Sequence, residues 1–197
     1  MLGSNGGRRL VRRTLALVGL GALALSVTPG VAQASQKLPL GGDRSAFTLP
    51  VGTPLPPAGY KVLSAYKVVY GTQTYACLAT GTWDTASTPE AWLTRYGRPG
   101  LIHHYAGPRW TSERDGSTIL AAVDGADGKV PQVGTIAWLR LKVTAHEHSA
   151  PGKELNEVAY VNRVNTSGGV GPTGTCTPGS KRAVRYSADY VFWVPSA

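Results

Sequence analysis

The sequence predicts an all-β domain, an antiparallel sandwich or small barrel with long loops and one disulfide. Apolar and polar residues alternate with period two from Tyr60 onward, which is typical of a strand with one buried face. No window sustains the 3.6-residue period of an amphipathic helix over three turns. Segments rich in Val, Tyr and Trp follow one another, separated by Gly, Pro and Asp turns, as in small all-β domains.

Each strand is predicted from its own pattern, in chain order. Residues 62–70 alternate, and Gly71-Thr72 is expected to turn the chain so that 73–79 return beside them. Further strands are predicted at 91–95 and 101–105, as a hairpin around 98–100, then at 117–123 before a turn at 124–128, and finally at 136–147, 155–166 and 183–194.

Residues 1–34 have the pattern of a secretory signal peptide. Arg8, Arg9, Arg12 and Arg13 precede an uncharged apolar run over 14–27, and cleavage is expected between Ala34 and Ser35. That run has about 14 residues, whereas a bilayer span needs about 20. We therefore expect a secreted, extracellular protein without a membrane anchor, exported by the general secretory or the twin-arginine route. A Pro- and Gly-rich lead-in over 35–59 and a single β domain over 60–197 follow.

Removal of this leader changes what the composition implies. The four arginines lower the net charge from +9 to +5, and the remaining basic residues are scattered rather than clustered into a stripe. Such scattering argues against a nucleic-acid partner. The leader also contains a GxGxxA pattern at 19–24, which lacks the strand–turn–helix setting that a dinucleotide site needs.

Two cysteines, Cys77 and Cys176, remain in the mature chain. An even count in an exported protein favours one disulfide, which would close a loop of about 100 residues. Two buried free thiols are the alternative.

Histidines and acids supply the candidates for chemistry. His103 and His104 are adjacent and point to opposite faces of a strand, whereas His146 and His148 share one face and are weak metal candidates that lack an evident third ligand. We expect no metal and no cofactor. Asp115 and Ser117, with His104 upstream, supply the residue types of a catalytic triad. The serine has no GxSxG elbow, however, and an Asp-Gly pair is more typical of a turn.

Seven short segments occur in the order found in a known family. They are 71–77 (GTQTYAC), 89–93 (PEAWL), 104–110 (HYAGPRW), 115–117 (DGS), 136–139 (IAWL), 160–169 (YVNRVNTSGG) and 186–192 (YSADYVF). Over about residues 50–194 the chain resembles the secreted proteins grouped as domain of unknown function 3455. Relatives tend to have Pro where this chain has Ala137.

The resemblance implies export behind a signal peptide and brings no established activity. Some members carry the label malate dehydrogenase, which this sequence does not support, because after Ser35 it has neither a nucleotide fingerprint nor a βαβ pattern. If the family has a shared site, motif density places it in a cluster of five residues: His104, Trp110, Asp115, Ser117 and Arg163. A structural turn built on 107–108 and 115–116 explains part of the same motifs.

These observations predict a secreted β-domain that binds rather than catalyses, with a glycan, a cell-wall polymer or another envelope component as the candidate ligand. An exposed aromatic shelf is one way in which such a domain holds sugar rings. The alternative is an extracellular hydrolase or metal-dependent enzyme that uses His104 and Asp115. A nucleotide-dependent dehydrogenase is not expected, and the sequence leaves the oligomeric state open.

Overall fold

Antiparallel strands make up nearly all the regular structure of residues 47–196, the part of the chain that this computed structural model describes. This confirms the all-β class. A single 3-10 turn at Ala126–Gly128 accompanies the strands within that range. The strands are β1 Tyr60–Cys77, β2 Trp83–Arg95, β3 Leu101–Tyr105, β4 Arg109–Ser112, β5 Thr118–Val123, β6 Lys129–Val130, β7 Trp138–Glu147, β8 Tyr160–Gly168 and β9 Lys181–Pro195.

The strands form a closed ring. Neighbours pair in the order β1, β2, β3, β4, β5, β7, β8 and β9, and β9 pairs with β1 again. The pairing of β5 with β7, from Thr118↔Glu147 to Val123↔Leu141, closes the sheet, and the short β6 lies beside β7. The architecture is therefore a barrel rather than a sandwich. A barrel of about eight strands has an interior that side chains nearly fill or that holds one small ligand.

The turn predicted at Gly71-Thr72 is wrong, because β1 continues through it. The register of β1 against β2 shifts between Val68 and Tyr70, which marks a β-bulge just before Gly71. A Cβ atom at Gly71 would lie 2.7 Å from Cγ1 of Val68 and 2.8 Å from Cε1 of Tyr186. The glycine therefore permits close packing inside a long strand instead of reversing the chain.

The strand predicted from residue 155 begins only at Tyr160, since residues 148–159 form a loop that covers one end of the barrel. Leu155 and Val158 are fully buried and belong to the main core cluster inside the ring. These apolar residues, which suggested a strand, therefore fill the barrel interior at that end.

Glu154 fixes this loop in place. Its Oε1 accepts hydrogen bonds from the hydroxyl of Tyr66 at 2.7 Å and from Nη1 of Arg95 at 3.0 Å, and its Oε2 accepts one from Oγ of Ser112 at 2.6 Å. Arg95 ends β2 and Ser112 ends β4, so both lie at the same end of the antiparallel ring. We refer to the loop 148–159 as the plug and to this end of the barrel as the closed end.

A second cluster lies on the outer face. Phe47 and Leu49, in the segment before β1, are buried against β1, β8 and β9. In the same region Asn162 donates to the carbonyl oxygen of Pro54 at 2.9 Å and accepts from Nε1 of Trp193 at 2.8 Å. The predicted signal peptide at 1–34 and the first part of the lead-in, 35–46, lie outside the described residues. Within 47–196, no helix is long and apolar enough to span a bilayer.

The predicted disulfide between Cys77 and Cys176 is confirmed, with Cα atoms 5.9 Å apart. Cys77 ends β1, and Cys176 lies in the loop that leads from β8 to β9. Because β1 runs away from the closed end, the bridge ties two segments together at the opposite end of the barrel.

Replacement of Glu154 tests the role of the plug. Glu154→Gln removes the charge that pairs with Arg95 in a site where the two side chains are 4% and 9% exposed. We expect the free energy of unfolding, measured by urea denaturation at pH 7, to fall by about 3 kcal/mol, since a buried charge loses its partner. Glu157→Gln, an exposed position in the same loop, is the matched control and should change stability by about 0.5 kcal/mol or less. Equal small losses in both variants would contradict this role.

Candidate functional site

A cavity of about 300 Å³ lies within the barrel at the end opposite the plug. Its lining includes the buried side chains His104, Trp110 and Tyr190, together with Leu139 and Leu141 from β7. Residues from β1, the first half of β2, β8 and the β3–β4 turn complete it, namely Gln73, Ser87, Thr88, Pro89, Ala106, Gly107, Pro108 and Arg163. We call this end the open end.

The aromatic floor of the cavity is built by one cross-strand pair. His104 on β3 lies opposite Trp110 on β4, and their rings stack with centroids 4.3 Å apart and planes 6° from parallel. Tyr190 on β9 packs against both rings, at 5.1 Å and 5.7 Å between centroids. Directly opposed residues on one face of an antiparallel pair are held in contact by the ladder itself, so the hairpin fixes this floor.

His104 is a neutral acceptor at physiological pH. Burial is the largest influence and, with the positive charge of Arg163, outweighs the hydrogen bond to Arg109 and lowers the pKa of His104 to about 3. Its Nδ1 lies 2.8 Å from the carbonyl oxygen of Arg109, so Nδ1 carries the proton and donates. The neutral ring therefore keeps a lone pair on Nε2.

Arg163 is the charged residue of the lining. Its Nε and Nη2 both donate to the carbonyl oxygen of Ala137, at 3.1 Å and 2.9 Å, which anchors the guanidinium beside the cavity. Its charge acts on the lining, since it opposes the rise that burial causes in the pKa of Tyr190. The lining residues, all within the described part of the chain, include no Asp or Glu.

Two buried donors of the lining have no hydrogen-bond partner among the described residues. Nε2 of Gln73 is one, because the amide uses its Oε1 to accept from Oγ of Ser87 at 2.7 Å. Nε1 of Trp110 is the other. Gln73 is 3% and Trp110 1% exposed. A buried donor left unpaired costs about 1–3 kcal/mol, so two in one cavity call for a functional explanation.

The structure divides the predicted cluster of five residues between the two ends of the barrel. His104, Trp110 and Arg163 come together around the cavity. Asp115 and Ser117 lie instead in the turn between β4 and β5, at the closed end.

Asp115 and Ser117 connect that turn to the plug. Oγ of Ser117 donates to Oδ1 of Asp115 at 2.6 Å and accepts from the backbone N–H of Leu155 at 3.2 Å, while Oδ2 of Asp115 accepts from the backbone N–H of Glu154 at 2.7 Å. Burial raises the pKa of Asp115, but these hydrogen bonds and the charge of Arg114 outweigh it and lower the pKa to about 2. The geometry is that of a structural turn.

The remaining histidines lie outside the cavity. Nε2 of His146 contacts the carbonyl oxygen of Val158 at 2.9 Å, and His148 follows the end of β7 with a positive φ of 52°. Within the described residues, no group of three or more His, Cys, Asp or Glu side chains is arranged to hold a metal ion. His103 lies on the outer face, stacked between Trp92 at 4.4 Å and Tyr105 at 4.7 Å.

Gln73 is one of the cavity residues that the sequence did not predict. Its polar side chain occupies an inward position of β1, two residues beyond Gly71. With a turn assumed at Gly71-Thr72, the alternation could not be carried through to Gln73. The signal available was a polar residue at a position of β1 where the alternation places side chains inside the barrel.

The fold and the cavity define a class of protein, namely a closed antiparallel β-barrel with a ligand-sized cavity at one end. Within this class the chain belongs to the family described as protein of unknown function (DUF3455), whose sequence profile matches residues 94–194. The match runs from the end of β2 into β9 and includes His104, Trp110, Arg163 and Tyr190 of the lining. A search of curated proteins and a search of solved structures each found no match.

The buried neutral state of His104 predicts a pH-dependent stability. Since its folded pKa of about 3 lies below the unfolded value of 6.5, the unfolded chain binds the extra proton between these pH values. Stability is therefore full above pH 6.5 and falls as the pH decreases toward 3, by at most about 1.4 kcal/mol per pH unit from this group.

His104→Phe should flatten the decline in stability between pH 6.5 and 4, measured by urea denaturation at several pH values. It will also lower stability at pH 7, because the carbonyl oxygen of Arg109 loses its donor. His103→Phe, the same change on the outer face, is the control and should keep the decline of the unmodified protein. The same slope in both variants would show that His104 does not carry this dependence.

Proposed function

We propose that this protein is an exported binding module that takes a small ligand, one sugar unit or a molecule of similar size, into the open end of its barrel. The supporting observation is the difference between the two ends. The plug, held by Glu154, fills the interior at the closed end, whereas the other end opens into a cavity of about 300 Å³. Small-molecule sites are concave, few in number and often lie at the mouths of barrels.

The size of the cavity limits the ligand. A volume of 300 Å³ corresponds to about ten water molecules and lies at the lower end of the range for ligand pockets. One sugar unit or a small organic molecule suits this space. A glycan or cell-wall polymer would enter by the end of its chain, with the rest of the polymer outside the barrel.

The lining combines polar and apolar groups. Gln73, Ser87 and Arg163 offer hydrogen bonds, while Trp110 and Tyr190 provide apolar ring surface. This combination suits a ligand whose hydroxyl or carboxyl groups project from an apolar ring or chain, because each kind of group meets its counterpart.

Several contacts favour binding over catalysis. Hydrolysis by general acid and base needs titratable groups within reach of one bond, and the lining has no carboxylate. His104 uses Nδ1 on the Arg109 carbonyl, and Asp115 is engaged with Ser117 and the plug. The alternative, a hydrolase or metal-dependent enzyme based on His104 and Asp115, would require these side chains to leave their present partners.

Export rests on the leader and agrees with the disulfide. The proposed signal peptide is removed near Ala34-Ser35, and the Cys77–Cys176 bridge persists most readily in an oxidising compartment outside the cytosol. The proposed ligands are accordingly extracellular, and neither a nucleic acid nor a membrane anchor forms part of the proposal.

Titration calorimetry with single sugars tests the proposal. D-glucose, D-galactose, N-acetyl-D-glucosamine, D-glucuronate and D-galacturonate are the probes, and we expect at least one to bind with a Kd in the millimolar range or tighter. Ala106→Trp should weaken this binding by about tenfold or more, since the indole is added at a lining residue. Ala122→Trp places the same side chain at another exposed alanine, outside the lining, and should leave the Kd unchanged. Absence of binding for all five probes, or equal affinity in the two variants, would overturn the proposal.

A further inference from the structure

Given the binding function proposed above, we propose that the cavity recognises a carboxylate, so that the ligand is a small hydroxy acid such as a uronic acid unit. Three sets of groups support this: two unpartnered donors, one cation without an acidic partner, and one neutral acceptor. All belong to residues that line the same cavity.

The two unpartnered donors are the first supporting observation. Nε2 of Gln73 and Nε1 of Trp110 are buried and without partners among residues 47–196. Both side chains are fixed, Gln73 by the hydroxyl of Ser87 and Trp110 by stacking on His104. A ligand that supplies oxygen acceptors would satisfy both donors, whereas a hydrocarbon ligand would leave them unpaired and exclude the water that otherwise serves them.

The positive charge of Arg163 indicates that the ligand is negatively charged. Arg163 bonds to the carbonyl oxygen of Ala137, and no carboxylate among the described residues pairs with it. Arg95 at the closed end, by contrast, has the carboxylate of Glu154 at 3.0 Å. A guanidinium beside a cavity whose lining lacks an acid favours an anion, and its planar fork matches the two oxygens of a carboxylate.

The acceptor distinguishes a hydroxy acid from a plain acid. Because Nδ1 of His104 donates to the Arg109 carbonyl, the neutral ring has its lone pair on Nε2. A ligand hydroxyl is a suitable donor to such a nitrogen. A sugar acid supplies a carboxylate for the donors and the cation, and hydroxyls for the acceptor.

The closing experiment compares three sugars that differ at one carbon. D-glucuronate carries a carboxylate at C6, D-glucuronamide a neutral amide of the same shape, and D-glucose a hydroxymethyl group. By titration calorimetry at pH 7 and low salt, we expect glucuronate to bind at least about tenfold more tightly than either neutral sugar. We also expect this advantage to shrink as salt is added.

Three variants assign the effect to the named groups. Trp110→Phe removes one N–H and keeps an aromatic ring, and Gln73→Glu exchanges the donor for a negative charge while the Ser87 contact is retained. Arg163→Gln removes the charge and keeps an amide donor for the Ala137 carbonyl. Each should weaken glucuronate binding by about tenfold and lower the ratio of the glucuronate affinity to the glucose affinity. Trp92→Phe on the outer face is the control, and melting temperatures confirm that each variant is folded.

The outcomes separate the two proposals. Equal binding of glucose and glucuronate, lost in Ala106→Trp, would overturn the carboxylate site and support the binding function. Tighter binding of glucuronate by Gln73→Glu would also overturn it, since the ligand would then donate to residue 73. If none of the three sugars and none of the five single-sugar probes binds, the binding function itself fails.

Discussion

Pairing of β5 with β7 is the constraint on which the rest of the molecule depends. It converts a sheet with two free edges into a ring, so that alternate residues of every strand face an enclosed interior. An enclosed interior must be filled by side chains or be closed at its ends. The plug closes one end with Leu155 and Val158, and the other end retains the cavity. The location of the site therefore follows from how the ring is filled.

Glu154 makes the closed end specific rather than merely apolar. A buried ion pair contributes little net stability by itself, because desolvation offsets much of the attraction. Its contacts with Tyr66, Arg95 and Ser112 nevertheless admit one position of the loop, and the turn at Asp115 and Ser117 holds the adjacent backbone. These acids and hydroxyls resemble catalytic residues in the sequence, but they hold a loop in place. The burial of Leu155 and Val158 supplies the apolar stabilisation.

Sequence patterns predicted part of this fold. The strand class, the hairpin of β2 with β3 and the disulfide pairing follow from alternation, turn residues and a count of two cysteines. Ring closure does not follow from these patterns. A turn and the short β6 separate β5 from β7 in the chain, and neither strand carries a sequence signal for their pairing. Motif density also grouped His104 with Asp115, although β4 separates them. Four residues, Arg109–Ser112, carry the chain from the open end to the closed end.

The distribution of charge along the barrel axis supports the proposed preference of the open end for an anion. At the closed end the carboxylate of Glu154 meets Arg95, and Asp115 meets several N–H and O–H donors, so both of these acids are compensated. At the open end Arg163 is anchored by a carbonyl oxygen, and burial keeps His104 neutral so that it adds no second positive charge. One cation and two fixed donors then belong to a cavity whose lining also carries apolar side chains. Because charge is screened poorly inside a protein, this small positive set supports the proposed preference for a single negative group.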